Sequence, residues 1–290
     1  MRRRLFLLGG AALAGMGAAT MTSRHVWRGH AFGAEATIAL DGGDAKRAIA
    51  AARAEIERLE RLFSLYDPGS ALSRLNREGS LRMPTAFAEL IGVVDRVHVA
   101  TGGLFDPTVQ PLFAAMLRRG GALDDAERGA LRGRTGWRHV RVRGDRIAFD
   151  RPGMALTLNG IAQGFASDRV SAVLAAHGHG GAFVDIGEPR ANGVARVRVD
   201  GEAVRLRGGA IATTAASGFR FSDGTSHLLA PHESLAPRWA TVAVEAASAA
   251  VADGLSTALA LTADDRMAGR LVADGMARRV WLDGEAVKGA

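Results

Sequence analysis

The chain contains no cysteine. Disulfides, zinc–thiolate sites, iron–sulfur clusters and thiol nucleophiles are therefore excluded. Tyrosine is nearly absent, with Tyr66 the only one in 290 residues. The eight histidines form no H-E-x-x-H pair, and no G-x-S-x-G elbow is present, which removes a zincin site and an elbow-type serine hydrolase. Neither the Rossmann G-x-G-x-x-G nor the P-loop pattern stands at the glycine-rich turn discussed below. No basic stripe is interleaved with aromatics, so nucleic acid is not an expected partner. No Pro/Ser linker divides the chain, and no internal repeat is visible.

What is present reads as a globular protein. Hydrophobic residues make up 48% and charged residues 23%, enough apolar surface for a large core and too few charges for wholesale disorder. The 37 glycines imply many tight turns or close backbone approaches. Arg2, Arg3 and Arg4 precede the apolar stretch Leu5 to Ala19, which is too short to span a bilayer comfortably and fits a signal-peptide h-region. Gly17-Ala18-Ala19 offers small residues for cleavage, and Arg3-Arg4-Leu5-Phe6-Leu7 resembles a twin-arginine export signal. The expectation is a signal over 1–19, a domain over 20–290 and a periplasmic location, anchored at the inner membrane if the signal is uncleaved. Cleavage after Ala19 removes three arginines and no acids, taking the formal net charge from +7 to +4. That bias suits anionic ligands or surfaces.

The pattern predicts a strand over Ala34 to Leu40 and a helix over Asp44 to Phe63, with Ile49, Ala52, Ile56, Leu59 and Phe63 at spacings of three and four. Asp67 to Ser70 is a turn. Thr85 is expected to cap a second helix that ends at Thr101-Gly102-Gly103. Gly144-Asp145 joins a hairpin of His139 to Arg143 with Arg146 to Phe149. Leu156 to Leu158 reads as a short strand running into a helix over Ala162 to His177. Further strands are expected at Ala182 to Ile186, Val194 to Val199, Val204 to Leu206, Ala240 to Val244 and Arg279 to Leu282, with a helix over Ala249 to Leu261. Helices and strands mix without a steady βαβ rhythm, so the fold class is α+β, a mixed single unit.

Four segments could carry chemistry. In Leu158 to Phe165 a strand ends, glycines follow and a helix begins. Such a helix N-terminus offers backbone N–H groups to a diphosphate, although a merely structural strand–turn–helix reads as well. Asp253 and Thr257 sit four residues apart on one helix face and could both be hard oxygen ligands to Mg²⁺; the other reading is a polar patch on an amphipathic helix. Their neighbours are apolar or small, which makes a lone buried Asp costly. Asp106, held extended by Pro107, could accept ribose or adenine hydrogen bonds or could simply end a helix. His227, entering an apolar stretch, could be a general base or a satisfied core histidine.

In this order the segments resemble the ApbE family of FAD:protein FMN transferases, over about Ala31 to Leu282. Phe32-Gly33-Ala34 stands where that family has Met-Gly-Thr. Phe63 to Tyr66 with Ser70 to Asn76 is similar to its S-x-Y and S-E-L-S-R-L-N stretch, and Gly103 to Leu112 to its G-x-F-D-P-T-V-G-P-L. Leu158 to Asp168 resembles L-G-G-I-A-K-G-x-A-x-D, and Ala252 to Leu259 resembles A-D-A-L-A-T-A-L. The resemblance implies a single compact, T-fold-related unit with mixed sheets and flanking helices. It implies Mg²⁺ held by Asp253, Thr257 and the Ala162 carbonyl. It implies a flavin site drawn from Gly33, Tyr66, Ser70, Phe105, Asp106, Thr108, Asn159, Gly160, Ile161, Gln163, Gly164, Asp168 and Thr213, with His227 and Asp253 as the catalytic pair. The implied reaction moves FMN from FAD to a Ser or Thr hydroxyl of an acceptor flavoprotein, expected to be membrane-bound, and releases AMP.

The chain departs from the family in places. Gln163 replaces the usual Lys, Ala71 replaces an acid, and Gly187-Glu188-Pro189-Arg190 is one residue shorter than G-G-D-I-R. His227 to Ser234 lacks the acid, Arg and Thr-Gly of H-x-x-D-P-R-T-G. The altered Ala230 to Ser234 stretch motivates one alternative, a non-catalytic FAD-binding maturation factor; a further reading is an FAD pyrophosphatase giving FMN and AMP. The L-N-G-I-A-Q-G variant and the twin-arginine start resemble the NosX branch, linked to nitrous-oxide reductase maturation.

Overall fold

The computed structural model describes residues 24–231, 237–262 and 264–287. The expected export signal at 1–19 and the His232 to Ser234 departures lie outside the described residues.

The chain opens with strands β1 (Arg24–Ala31) and β2 (Ala34–Asp41), paired in register from Arg24↔Asp41 to Ala31↔Ala34. Phe32 and Gly33 join them with φ of 51° and 75°, the positive-φ pair of a two-residue hairpin turn. Helix α1 (Ala45–Phe63) follows, its N-terminus capped by the Asp44 carboxylate accepting from Arg47 N at 3.2 Å. Next come α2 (Ala71–Glu78), β3 (Ser80–Arg82), α3 (Thr85–Ala100), α4 (Gln110–Arg119) and α5 (Asp125–Arg132). The hairpin β4 (Val140–Arg143) and β5 (Arg146–Phe149) joins β3 in a small sheet ordered β3-β5-β4. The second half runs through α6 (Ala162–Ala176), β6 (Phe183–Ile186), β7 (Pro189–Val199), β8 (Glu202–Ala215), β9 (Thr241–Ala246), α7 (Ala249–Ala260), α8 (Arg266–Ala273), β10 (Arg279–Leu282) and β11 (Glu285–Ala286).

The large sheet has the order β1-β2-β6-β7-β8-β9-β10-β11, and every neighbouring pair is antiparallel. Side chains alternate across its two faces. One face contributes Ile38, Val184, Ala212 and Val244 to a core shared with α1, α3, α6 and α7. The other buries Ala39, Phe183, Ala243 and Trp281 with Val197, Val199, Val204 and Leu206 of the β7–β8 hairpin. Phe63 anchors the helical layer, with ring centroids 5.8 Å from Phe87 and 5.7 Å from Phe165. Helix α7 is apolar nearly all round and is the most enclosed of the helices, as such composition requires.

Three expectations are corrected. Thr85 is the first helical residue of α3 rather than its cap; Pro84 precedes it and no side chain caps that end. Leu156 to Leu158 pairs with no strand. Asn76 takes that place, donating from Nδ2 to Leu156 O at 2.8 Å and accepting from Leu156 N at 2.7 Å. The strand expected at Val204 to Leu206 is one part of the 14-residue β8.

Candidate active site

A cavity of about 620 Å³ opens between the helical layer and one end of the large sheet. Its volume lies in the range of cofactor-sized sites. Gly33, Phe105, Asp106, Asn159, Gly160, Ala162, Gln163, Thr213, His227, Asp253 and Thr257 line it, joined by Glu188. Motifs far apart in the chain therefore converge on one space.

Helix α7 supplies Asp253 and Thr257 from one face, as their spacing requires. Asp253 is buried, and its carboxylate accepts a single hydrogen bond, from Gly164 N at 3.2 Å. Burial pushes its carboxyl up to about 7. Glu188 is buried as well and is raised well above its ordinary value by burial, then by Asp253 and Asp185. One Glu188 oxygen accepts from Thr213 N at 3.2 Å. No Lys or Arg partners Asp253 or Glu188 among the described residues. The Thr257 hydroxyl has no hydrogen-bond partner among the described residues and lies where a side chain on Gly160 would meet it at 2.8 Å.

His227 lines the cavity as well. Its Nδ1 sits 2.8 Å from Phe219 O. That contact places the Nδ1 proton on the carbonyl side and leaves Nε2 as an acceptor. Burial lowers its proton affinity, so the ring is neutral at neutral pH. Gln163 donates from Nε2 to Phe32 O at 3.4 Å, and Phe32 N donates to Glu60 Oε1 at 2.8 Å. The β1–β2 turn is thus tied over the cavity from two sides.

Five residues expected at the flavin site make hydrogen bonds or packing contacts within the protein, and a sixth, Tyr66, stands just outside the cavity wall. Ser70 is fully buried, accepts from Ser73 N as the cap of α2 and donates to Ser64 O at 2.5 Å. Thr108 donates to Asp106 Oδ1 at 2.5 Å and accepts from Gly136 N at 2.6 Å. Ile161 is core, packed where a side chain on Gly254 would clash. Gly164 allows α6 to approach α7, because a Cβ there would lie 2.3 Å from Ala249 O. Asp168 receives Ser248 Oγ at 2.6 Å, Ala249 N at 2.9 Å, Ala250 N at 3.1 Å and Arg190 Nη1 at 2.5 Å, so it holds the N-terminus of α7. Tyr66 is 53% exposed and stands beside Ser64 and Asp67 of the cavity wall, not in the wall itself.

Two expectations need narrowing. Asp106 lines the cavity, but its carboxylate already accepts from Thr108 N, Thr108 Oγ1 and Trp137 N at 2.8, 2.5 and 2.9 Å. It mainly braces the loop before α4. The N-terminus of α6 is also partly used: Ile161 N and Ala162 N donate to Leu158 O and Gly164 N donates to Asp253. Gly160 and Gln163 keep backbone N–H groups without a partner among the described residues.

Sequence reasoning missed Glu188 as a chemical group. The stretch Gly187 to Arg190 drew notice only for its length. Its signal was an acid beside a glycine in a tight turn after the apolar strand β6, since a carboxylate so placed is rarely left in a core without a task.

The model of the ApbE family matches residues 32–277. A curated FAD:protein FMN transferase of Vibrio cholerae is 31% identical over 150 residues, covering 49% of this chain and 45% of that relative, so the chain matches under half the relative's length. The fold is shared with solved structures. The flavin transferase ApbE from Vibrio cholerae superposes with a TM-score of 0.77 at 24% identity, covering 90% of this chain and 93% of that one. The Pseudomonas stutzeri flavinyl transferase ApbE in its apo form gives 0.79 at 24%, covering 91% and 93%. The ApbE protein from Thermotoga maritima gives 0.81 at 23%, covering 92% and 97%. The family match spans both walls of the cavity and the helices that carry Asp253 and the Gly160 turn, and the chain belongs to the ApbE family.

Proposed function

We propose that the protein is a magnesium-dependent FAD:protein FMN transferase. The observation that carries this reading is a pair of buried carboxylates, Asp253 and Glu188, with no cationic partner among the described residues, facing a cofactor-sized cavity. Like charges so placed call for a cation. The donors are all hard oxygens: the Asp253 carboxylate, the Thr257 hydroxyl and the Ala162 carbonyl. One or two carboxylates completed by water and phosphate oxygens is the usual magnesium arrangement. Among the described residues no three His, Asp or Glu side chains are arranged to chelate an ion, so water and ligand oxygens would complete the shell. Bound there, Mg²⁺ would neutralise diphosphate charge.

The residues of the chain supply the rest. The free N–H groups of Gly160 and Gln163 can donate to phosphate oxygens at the start of α6. The apolar walls, Phe32, Phe105 and Phe113 among them, suit a flavin ring and exclude water. An acceptor Ser or Thr oxygen attacks the FMN-side phosphorus, the new P–O bond forms, the bond to the bridging oxygen breaks and AMP leaves. His227 Nε2 takes the hydroxyl proton.

The arginine pair before Leu5 supports export to the periplasm. The same start and the L-N-G-I-A-Q-G turn support a place in the NosX branch and an acceptor in nitrous-oxide respiration. Purified protein incubated with FAD, Mg²⁺ and an acceptor flavoprotein tests the transfer. A fluorescent acceptor band in a denaturing gel is expected. FMN and AMP released without an acceptor would instead indicate a pyrophosphatase. FAD binding with neither product would indicate a maturation factor.

A further inference from the structure

We propose that Glu188 is a second carboxylate of the cation site, acting with Asp253 across the cavity. The proposal rests on the reading of this cavity as a cation-dependent flavin site. Glu188 lies in the tight turn between β6 and β7, where Gly187 takes φ of 87°. It is 5% exposed, yet it lines the cavity together with Asp253, which is also 5% exposed.

Both acids are held in place by α6. Ser167 Oγ donates to the Glu188 carbonyl at 2.9 Å, and Gly164 N donates to Asp253 Oδ2 at 3.2 Å. Residues three apart on a helix share a face, so one face of α6 fixes both acids. Neither carboxylate is saturated. Each has one backbone N–H on one oxygen, which leaves most of its acceptor capacity open.

The neighbouring acids differ. Asp185 is not part of the cavity wall and accepts from Gly187 N. Asp106 and Asp168 have their oxygens filled by protein donors. Among the described residues, Glu188 alone joins Asp253 as a buried, under-bonded carboxylate facing the space. The side chain at 163, packed against Gly187, is an amide and brings no charge to offset them. A divalent cation does so directly, bound by Glu188 itself or through one water.

The test uses Mn²⁺ as a probe, titrated into the purified protein and followed by the loss of its free-ion electron paramagnetic resonance signal. The measurement is made at about pH 8, above the value of Asp253. Glu188→Gln is expected to weaken Mn²⁺ binding about tenfold or more, and to melt no lower than wild type in chelator because like-charge repulsion is removed. Wild-type affinity in Glu188→Gln, with binding lost in Asp253→Asn, overturns the role of Glu188 and leaves the site's reading intact. No Mn²⁺ binding by the wild type overturns both. If Glu188→Gln does not fold, Glu188→Asp carries the test: the withdrawn carboxylate is expected to weaken binding several-fold, and unchanged affinity overturns the proposal.

Discussion

Asp253→Asn should stabilise the metal-free protein above neutral pH while abolishing its response to magnesium. The Asp253 carboxyl has an ordinary value of 3.8 and is pushed up to about 7, first by burial. Below the unfolded value both states carry the proton and the group costs nothing. As pH rises toward about 7 the unfolded chain ionises freely while the folded one resists, so stability falls. Three units at about 1.4 kcal/mol each is about 4 kcal/mol, and relaxation and water entry reduce this to about 2 kcal/mol. Asparagine keeps an acceptor for Gly164 N and has no charge to bury. In chelator the gap between the two proteins should be small near about pH 5 and should widen until the variant melts about 4–8 °C higher near about pH 8. With excess magnesium the wild type should rise and the variant should not. The reasoning is refuted if Asp253→Asn melts below wild type at the higher pH in chelator, or if the gap is the same at both pH values.

Asp168→Asn removes the charge that holds Ser248, Ala249, Ala250 and Arg190. It should cost about 2–3 kcal/mol in urea denaturation, and wild-type stability would show that α7 does not depend on this clamp. Gly160→Ala places a Cβ 2.8 Å from the Thr257 hydroxyl. Mn²⁺ affinity should fall about tenfold for a stability loss of about 1 kcal/mol, and intact affinity would remove that hydroxyl from the cation site. His227→Gln should lower transfer about 10²–10⁴-fold at saturating magnesium with FAD affinity retained, since only Nε2 basicity is lost. Because burial lowers this imidazole from 6.5, the acid limb of the wild-type rate at saturating magnesium should fall below pH 6.5; a limb above it would point to another base.

The long elements were legible because burial imposes a period on them. Helix α1 buries Ala45, Ala48, Ala52, Ile56, Leu59 and Phe63 at helical spacing, and the β4–β5 hairpin announced itself through Gly144-Asp145. The short elements were not. α2 and α5 have eight residues each, too few for a period to stand out, and α5 buries none of them. β1 was missed because its partner β2 and a two-residue turn make it a strand, not its own pattern of His, Trp and Arg. Leu156 to Leu158 looks like a strand because it is extended and apolar, but a side-chain amide 80 positions earlier satisfies its backbone. No local reading can find such a partner.

At the site, motif identity located the right segments without assigning roles within them. Asp106, Asp168 and Asp253 all sit in motif positions, and as residue types they are the same. Their hydrogen bonds separate them. Asp168 has four protein donors and Asp106 three, and a carboxylate so occupied has little left for a ligand; each instead fixes a loop or a helix end. Asp253 and Glu188 each have one. Burial with so few partners is unfavourable, and that cost is one the proposed cation would relieve. The saturated acids hold the frame and the unsaturated ones face the cavity, so the proposed cation binding would depend on the positioning of α6 and α7 by Asp168, Gly164 and Ser167. A substitution in that frame should therefore weaken cation binding without touching a ligand, whereas one at Glu188 should weaken it while leaving the frame intact.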